Sequence, residues 1–350
     1  MKICFLAPAN SIHTQRWTEY FDKKGHEIHL ISFHFAEIQG VHVHYLAAPL
    51  KPFYLLHIPR IKSLLKKIKP DILHAHYASS YGFVAAALDF HPFVVSVWGS
   101  DITTFSKKSL IHRHLIKYVL KKADRVTVTS WFLHSMVMNL VPVNEKISVI
   151  PFGIETKKFK PRSEYSYDRE TIIGSTKALF PQYGTEYLIK AFSLVESKYG
   201  DVRLVLIGGG SLRDSLRKLT GKLKISEKVD FIDQVPHFEI PDYLRKIDIF
   251  VVPSIKESFG VAALEASACE IPVIASNTGG LPEVVLHNKT GFLVPPKDHR
   301  SLAAAIAELI ENPSLRKKFG EEGRKFVSRS YDWVENSQSM DQLYHDLLEE

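Results

Sequence analysis

Two glutamates eight positions apart, Glu257 and Glu265, are the residues of this 350-residue chain whose type and spacing most directly suggest chemistry. Two carboxylates could be the acid and base of a glycoside hydrolase, which needs them about 5 to 9.5 Å apart. If the interval is helical, however, eight residues rise ~12 Å along the axis. The spacing therefore favours two carboxylates that hold opposite ends of an elongated ligand, and a nucleotide-sugar has that length.

A predicted strand and a predicted helix position these carboxylates. The apolar run from Ile247 to Val252 is typical of a buried strand, and the Ala, Leu and Val residues that follow have helical spacing from about Phe259. Glu265 would then lie about two turns into the helix. The free N–H groups and positive dipole end of a helix start suit a phosphate or a sugar oxygen. The candidate residues at this helix start are Ser258, Phe259, Gly260 and Val261. The alternative, one glutamate favoured by the helix dipole and one on a solvated face, remains open at this point.

The composition is that of an ordinary globular protein, with 45% hydrophobic and 24% charged residues, and the length suffices for two domains. The absence of any apolar run of about 18 residues predicts no membrane-spanning helix. The opening MKICFLAP reads as a buried strand rather than a signal peptide, which predicts a cytoplasmic protein. Cys4 and Cys269 are expected to be reduced, buried thiols.

The positive charge is concentrated in the first half of the chain. Residues 1–150 contain 18 Lys and Arg against 9 Asp and Glu, a net of +9, whereas residues 151–350 contain 27 against 29, a net of −2. A basic half predicts an anionic partner, and membrane lipid and nucleic acid are the two candidates.

The segment from Pro52 to Lys69 is the first candidate for peripheral contact with an anionic membrane, on the inner face. Its apolar residues share one helical face, and lysines surround them. The apolar face consists of Ile61, Leu64, Leu65 and Ile68. The competing interpretation is a surface helix that packs this face on a sheet and leaves its lysines solvated. A second basic helix, predicted from Leu110 to Lys122, has the same two interpretations.

Strands and helices alternate along the first half, which predicts a parallel sheet covered by helices. Such sheets bind ligands at the carboxyl ends of their strands. The loop from Ala9 to Thr14 follows the first strand, His74 and His76 end another, and the segment from Trp98 to Asp101 follows a third. The two histidines could bind a metal ion or be ordinary strand residues, and the lack of nearby further ligands favours the second interpretation.

The alternation restarts after a polar, proline-containing segment around Phe159 to Asp168, where we place the interdomain linker. In the second half, Gly208 and Gly209 lie between a predicted strand and a predicted helix, where a ligand could approach the backbone closely. The tail is predicted to be helical, with a break near Tyr331 to Trp333.

The second half closely resembles the retaining glycosyltransferases of family 4. The resemblance covers an ordered series of motifs over residues 170–296, namely GSTKALFPQYG, VLIGGG, VDFIDQVP, ESFGVAALE, IPVIAS, NTGGLPEVV and TGFLVPP. In the first half, SIHTQRW, HAHYA and VWGSD resemble a subset of the same family.

The resemblance implies an α/β GT-B fold, in which two Rossmann-like parallel-sheet domains face each other and the C-terminal helix crosses back to the N-terminal domain. The acceptor-side domain would be residues 1–160 with 332–350, and the domain that binds the nucleotide-sugar would be residues 161–331. The enzyme would be a hexosyltransferase of polysaccharide biosynthesis. It would move a hexose or N-acetylhexosamine, with retention of configuration, from a UDP-sugar or GDP-mannose to an acceptor hydroxyl. The basic first half and the segment from Pro52 to Lys69 favour a lipid-linked or cell-surface glycan as that acceptor.

The resemblance also implies roles for individual residues. Glu265 would hold the ribose, Glu257 a hydroxyl of the donor sugar, and Lys177 the departing diphosphate. The catalytic candidates are Glu257, Lys177, His76 and Asp101. The donor-binding candidates are Gly208, Gly209, Glu257, Ser258, Phe259, Gly260, Val261 and Glu265. The acceptor-side candidates are His13 and Trp98. No metal and no cofactor other than the substrate is expected.

The chain departs from the family pattern at two places. Many relatives have a second cation before the glycine where this chain has Gln182 and Tyr183, and many have a histidine near the sugar where this chain has Trp98. Two other functions stay open, a GT-B nucleotide-sugar epimerase and a non-enzymatic nucleic-acid-binding protein. The second rests on charge alone, because no nucleic-acid-binding motif is present.

Overall fold

The computed structural model describes residues 1–163 and 170–350, and part of the linker predicted around Phe159 to Asp168 lies outside these residues. The chain forms two compact units. The first consists of Met1–Pro151 and Glu335–Glu350, and the second of Phe152–Val334.

A seven-stranded parallel sheet forms the centre of the first unit, with the strand order β3-β2-β1-β4-β5-β6-β7. Its strands are rich in Val, Ile and Leu because helices cover both faces of the sheet. The strands are β1 Lys2–Leu6, β2 Glu27–Ser32, β3 His42–Tyr45, β4 Ile72–His76, β5 Phe93–Val97, β6 Arg125–Val128 and β7 Ile147–Val149. The direction of strand addition reverses between β1 and β4, which places a ligand-binding crevice at their carboxyl ends.

The second unit repeats this architecture with six parallel strands in the order β10-β9-β8-β11-β12-β13. The strands are β8 Thr171–Ser175, β9 Val202–Ile207, β10 Val229–Ile232, β11 Ile249–Val252, β12 Val273–Ser276 and β13 Gly291–Val294. Here the reversal lies between β8 and β11.

Helices connect the strands of both sheets. In the first unit they are α1 Ile12–Lys23, α2 Ile58–Ile68, α3 Ser80–Leu88, α4 Ser100–Thr103, α5 Leu110–Lys122 and α6 Trp131–Leu140. In the second unit they are α7 Thr185–Tyr199, α8 Arg213–Lys222, α9 Ile240–Leu244, α10 Val261–Ala268, α11 Leu281–Val284, α12 His299–Glu311 and α13 Pro313–Ser330. Helix α14, Trp333–Glu349, follows them in the sequence, and from Glu335 onward it belongs to the first unit. None of the described helices is long and apolar enough to cross a membrane.

Alternating side chains of the first sheet divide its core into two layers. Leu6, Leu73 and Ala75 share a buried cluster with residues of α2, α3 and α5. The neighbouring side chains point to the opposite face, because successive strand residues alternate. There the Phe5 ring lies 6.0 Å from that of Phe21 on α1, and the Phe21 ring lies 5.0 Å from that of Tyr344 on α14. Helix α14 therefore packs within the first unit, as the predicted fold class requires.

The segment from Pro52 to Lys69 is not one amphipathic helix lying on lipid. A 3-10 turn occupies Lys51–His57, and α2 follows it. Ile61, Leu65 and Ile68 are buried, and Ile61 and Leu65 belong to the core cluster on the sheet. The prediction that this apolar face contacts the membrane is wrong, because burial against the sheet already removes it from water.

One further boundary differs from the prediction. Helix α1 begins at Ile12, within the loop predicted from Ala9 to Thr14, so His13 lies in the first turn of a helix. The second basic helix, by contrast, spans Leu110–Lys122 as predicted, since the Ser109 hydroxyl accepts a hydrogen bond from the backbone N–H of His112 and marks its start. Cys4 and Cys269 are buried free thiols.

Candidate functional site

The donor-side candidates gather at the carboxyl ends of β8 and β11, the two strands between which the second sheet reverses. Lys177 comes two residues after β8, and Glu257 comes five residues after β11. This crevice is where open parallel sheets bind ligands. The topology alone therefore brings together two residues that are 80 positions apart in the sequence.

Lys177 and Glu257 form a close ion pair. The Lys177 Nζ lies 2.6 Å from Oε2 of Glu257, and each side chain is only 13% exposed. The same carboxylate oxygen accepts a hydrogen bond of 3.2 Å from the Ser254 hydroxyl, and Nζ lies 4.5 Å from the centre of the Tyr183 ring. Burial is the largest single influence and would lower the pKa of Lys177. The charge and hydrogen bond of Glu257, with contributions from Tyr183 and Glu265, together outweigh burial and raise that pKa above its ordinary value. The site therefore holds a buried, protonated ammonium at neutral pH.

Two glycines fix the backbone that carries Glu257. Gly279 has φ +58°, and a Cβ built on it would lie 1.7 Å from the Glu257 carbonyl oxygen. The Gly280 amide donates to that oxygen at 3.2 Å, and a Cβ on Gly280 would lie 2.8 Å from Cα of Phe259. The segment from Glu257 to Phe259 thus lies directly on the backbone of the following loop.

Helix α10 begins at Val261, two residues later than predicted. Glu257 and Ser258 precede it in an irregular loop, so the estimate of a ~12 Å helical rise between the two glutamates is wrong. Glu265 is the fifth residue of α10 and therefore lies about 6 Å along the axis from its start. Gly260, with φ +122°, caps the helix.

Glu265 is 6% exposed and has a partner that the sequence prediction missed. Its Oε1 lies 2.7 Å from Nε2 of His237, which precedes α9, and the His237 ring packs 5.6 Å from that of Phe159. The charge of Glu265 also acts on Lys177. The site thus combines the ammonium of Lys177 with two carboxylates. Glu257 pairs with Lys177, and Glu265 is hydrogen-bonded to His237.

The glycines after β9 leave backbone accessible. Gly208 has φ +147°, and a Cβ there would lie 2.7 Å from the Lys177 carbonyl oxygen, so this position packs against the loop that carries Lys177. At Gly209 a Cβ would meet no atom closer than 4.0 Å. Gly209 therefore presents open backbone beside the Lys177 loop, as a close-approaching ligand requires.

In the first unit, His76, His13 and Trp98 form a cluster at the carboxyl ends of β1, β4 and β5. The buried His76 has Nδ1 3.1 Å from the Thr14 hydroxyl, and its ring lies 4.3 Å from that of Trp98. The His13 ring contacts Trp98 at 5.7 Å. Burial, with the nearby His74 and His13, lowers the pKa of His76 well below its ordinary value, so the ring is neutral. Within the described residues its Nε2 has no hydrogen-bond partner.

Asp101 is buried and turned toward backbone amides. Its carboxylate accepts hydrogen bonds from the amides of Ala78 at 2.9 Å, Gly99 at 2.9 Å and Ile102 at 3.2 Å. Burial raises the pKa of Asp101, and these amides act in the opposite direction. This geometry gives Asp101 a positioning function, because it ties the loop after β4 to the loop that carries Trp98.

The described residues contain no group of three His, Cys, Asp or Glu side chains placed to hold a metal ion. A cavity of about 670 Å³ in the second unit lies beside β9 and β10, is lined by Val205, Ile232 and Tyr243 among others, and includes none of the candidate residues.

Comparison with known proteins agrees with this geometry. A family model described as glycosyl transferases group 1 matches residues 156–326, and one described as glycosyl transferase 4-like matches residues 2–130. The chain belongs to this glycosyltransferase family. The predicted family, GT-B fold class and enzyme class are confirmed.

Individual relatives of this glycosyltransferase have low sequence identity but align with a large part of the chain. An uncharacterized glycosyltransferase of Methanocaldococcus jannaschii is 29% identical and aligns over 84% of this chain and 81% of its own. The GDP-mannose-dependent alpha-(1-6)-phosphatidylinositol monomannoside mannosyltransferase of Mycolicibacterium smegmatis is 27% identical over 64% of this chain and 62% of its own. The structure of sucrose-phosphate synthase from Thermosynechococcus elongatus shares the fold, with a TM-score of 0.88 at 22% identity over 99% of both chains.

Three residues that contact the candidates escaped the sequence prediction. In the second unit, His237 follows the VDFIDQVP motif directly and Ser254 lies three residues before ESFGVAALE, and in the first unit Thr14 ends the predicted loop. Each was within a quoted segment or beside one, but a hydrogen bond across 28 or 62 positions has no signature in a single sequence.

Proposed function

We propose that this glycosyltransferase moves a hexose or N-acetylhexosamine from a nucleotide-diphosphate sugar to a hydroxyl of a lipid-linked or cell-surface glycan, with retention of anomeric configuration. The observation that carries the proposal is the Lys177–Glu257 pair at the reversal point of the second sheet. The diphosphate and the sugar of such a donor are covalent neighbours. Two opposite charges 2.6 Å apart can therefore contact both at once.

Each charged group has a separate part in this proposal. The Lys177 ammonium stabilises the negative charge that develops on the departing diphosphate, in a buried place where such stabilisation is strong. Glu257 accepts a hydrogen bond from a sugar hydroxyl, and Glu265, held by His237, accepts from the ribose hydroxyls. The amides of Phe259, Gly260 and Val261 face the sugar and diphosphate at the start of α10.

No metal ion is required in this proposal, because Lys177 supplies the positive charge at the diphosphate. In the first unit, the neutral His76 with His13 and Trp98 is the candidate acceptor-binding cluster. A UDP-sugar is our first choice of donor. GDP-mannose is the second, since the name of the mycobacterial relative specifies it.

Thermal unfolding with a panel of UDP- and GDP-sugars tests the donor. A ligand at a hundred times its Kd stabilises the native state by about 2.7 kcal/mol, so the correct donor should raise Tm by a few degrees. Transfer to glycolipid acceptors then follows with that donor, and the anomeric signal of the product in proton NMR reports the configuration.

The variants Glu257→Ala and Glu265→Ala should lose transfer, and Glu265→Ala should also lose the shift in Tm. Glu186→Ala, which removes an exposed carboxylate from α7, is the matched control. Wild-type transfer rates in both site variants would contradict the proposal, as would donor turnover that needs no acceptor.

A further inference from the structure

Two groups of apolar side chains are exposed on the first unit. The first, which we call the Leu50 cluster, belongs to the turn before α2 and consists of Leu50, Phe53, Leu55 and Leu56. The second, the Leu110 cluster, is the first turn of α5 and consists of Leu110 and Ile111, which are 73% and 72% exposed. Burial of a large aliphatic side chain is favourable, so both clusters are suited to contact a partner.

The topology places both clusters at the same edge of the unit. Helix α2 ends four residues before β4 begins, and α5 ends three residues before β6 begins. In a parallel sheet both helices therefore start at the carboxyl edge, the edge at which His76 and Trp98 lie. Helix α3 contacts both α2 and α5. With 8–10 Å between neighbouring helix axes, the two clusters lie about 20 Å apart along that edge.

The helix layer that carries these clusters is strongly basic. Residues 38–70 and 102–123 contain no Asp or Glu, and each segment contains six Lys and Arg. The first unit as a whole has 18 basic and 14 acidic residues, a net of +4, because Glu335–Glu350 adds five acids. Four of those acids lie on α14, which packs against the opposite face of the sheet, and Glu350 follows that helix. On the side of α2 and α5, Asp89 at the end of α3 pairs with Lys122, and the other cations of the two segments leave this layer with a positive excess.

A cavity of about 540 Å³ lies beside the Leu110 cluster. Ile102, Met136 and Leu140 form apolar walls, and Lys107 and Arg113 are among its other lining residues. Within the described part of the chain, neither of these cations has a carboxylate at ion-pair distance. Cationic groups next to exposed aliphatic ones match the two layers of a bilayer surface, in which anionic headgroups cover acyl chains.

We propose that the Leu50 and Leu110 clusters, on the basic layer of α2 and α5, dock this glycosyltransferase on an anionic lipid bilayer. The aliphatic side chains enter the headgroup region while the surrounding lysines and arginines contact anionic headgroups. The membrane contact is thus made by these two clusters and not by the apolar face of α2, which is buried. The docking surface rests on the proposed function in one respect, namely that a lipid-linked acceptor reaches the carboxyl edge of the first sheet.

Vesicle flotation tests the docking surface. The full chain is mixed with phosphatidylcholine vesicles or with vesicles that also contain phosphatidylglycerol. We expect binding only to the second kind, and weakening by added salt. Lys107→Glu with Lys108→Glu should reduce the partition coefficient at least about ten-fold, since each basic residue near an anionic surface contributes about 1 kcal/mol. Leu110→Ser with Ile111→Ser should reduce it by a similar factor.

Matched controls come from the second unit. Lys317→Glu with Lys318→Glu makes the same charge change on exposed α13, and Leu194→Ser removes an exposed aliphatic side chain from α7. Neither control should lower binding by more than about two-fold, because these residues lie in the second unit, outside the proposed docking surface. Equal binding by the Lys107 and Lys317 pairs would overturn the proposal, as would equal binding to neutral and anionic vesicles. A dimer that Leu110→Ser with Ile111→Ser dissociates, without vesicle binding by the wild type, would instead assign the surface to a second copy.

Donor binding separates this inference from the proposed function. Tm shifts with nucleotide-sugars should be unchanged in the Lys107 and Leu110 variants, because these residues lie outside the donor site. Vesicle binding without any donor response would contradict the proposed function and leave the docking surface intact. A donor response without vesicle binding would do the reverse.

Discussion

At the scale of single residues, the ion pair between Lys177 and Glu257 is the feature on which the proposed donor site depends. A buried charge is tolerated when its partner stays in place, and removal of one partner leaves the other unpaired at a cost of about 3–5 kcal/mol. Ser254 and Tyr183 support the pair from two further directions. The substrate thus meets charges that are already fixed, which is what electrostatic stabilisation of a transition state requires.

Lys177→Met should lower kcat/KM by about 10²–10³, the usual loss when a fixed group that stabilises developing charge is removed. Lys190→Met is the control, since Lys190 on α7 pairs with Glu186 at the surface. Because Lys177 and Glu257 act as a pair, the double variant with Glu257→Gln should lose less than the sum of the two single losses. Steady-state kinetics on the four proteins measure this coupling. Additive losses would show that the two side chains act independently.

At the scale of elements, the loop from Pro253 to Gly260 is held in place by backbone contacts with the loop that follows β12. Its position depends on Gly279 and Gly280, which lie after β12. The motif NTGGLPEVV therefore supports the loop that carries Glu257, and its two glycines are needed for close backbone contact rather than for a turn alone.

Gly279→Ala should move Glu257 and reduce kcat/KM by at least about ten-fold, because a misplacement of about 1 Å can cost a hundred-fold in rate. Gly200→Ala is a matched control, since Gly200 has φ +65° and a Cβ there would meet nothing within 4 Å. Both substitutions place an alanine in the left-handed region, at a cost of about 1–2 kcal/mol. Only Gly279→Ala also brings the new Cβ into collision with the Glu257 carbonyl oxygen. Kinetics at a temperature where both variants are folded give the comparison. Similar kcat/KM values for the Gly279→Ala and Gly200→Ala variants would show that Gly279 does not hold Glu257 in position.

Elements that depend on local signals could be predicted from the sequence. Helix α5 matches to the residue because Ser109 caps it, and the break before α14 falls where Tyr331 to Trp333 suggested it. The start of α10 was misplaced because Ser258 and Phe259 belong to an irregular loop that packs against Gly280, a contact across 21 or more positions. The buried face of α2 could not be distinguished from a lipid-facing one, since periodicity gives the apolar face but not what covers it.

At the scale of the whole molecule, buried histidines set the two units apart. Burial lowers the pKa of five histidines, all in the first unit, and lowers that of His74 to about 3. The five are His26, His34, His44, His74 and His76. His74 lies at the centre of a buried hydrogen-bond chain, with Nε2 2.8 Å from the Ser96 hydroxyl and Nδ1 bonded to the Tyr344 hydroxyl of α14. The chain thus fixes the C-terminal helix through a ring that has to stay neutral.

The free energy of unfolding of the first unit should therefore fall as the pH falls below about 6.5, the ordinary histidine pKa. The native pKa values are lowered, so the unfolded chain binds more protons, and each such histidine contributes up to about 1.4 kcal/mol per pH unit. For His74 this loss continues down to about pH 3. Urea unfolding between pH 7.5 and 5 measures it by tryptophan fluorescence in a Trp333→Phe background, because the other tryptophans, Trp17, Trp98 and Trp131, all belong to the first unit. His74→Gln should make the pH dependence shallower by as much as one proton, and a dependence that this substitution leaves unchanged would show that the buried ring does not govern the acid response.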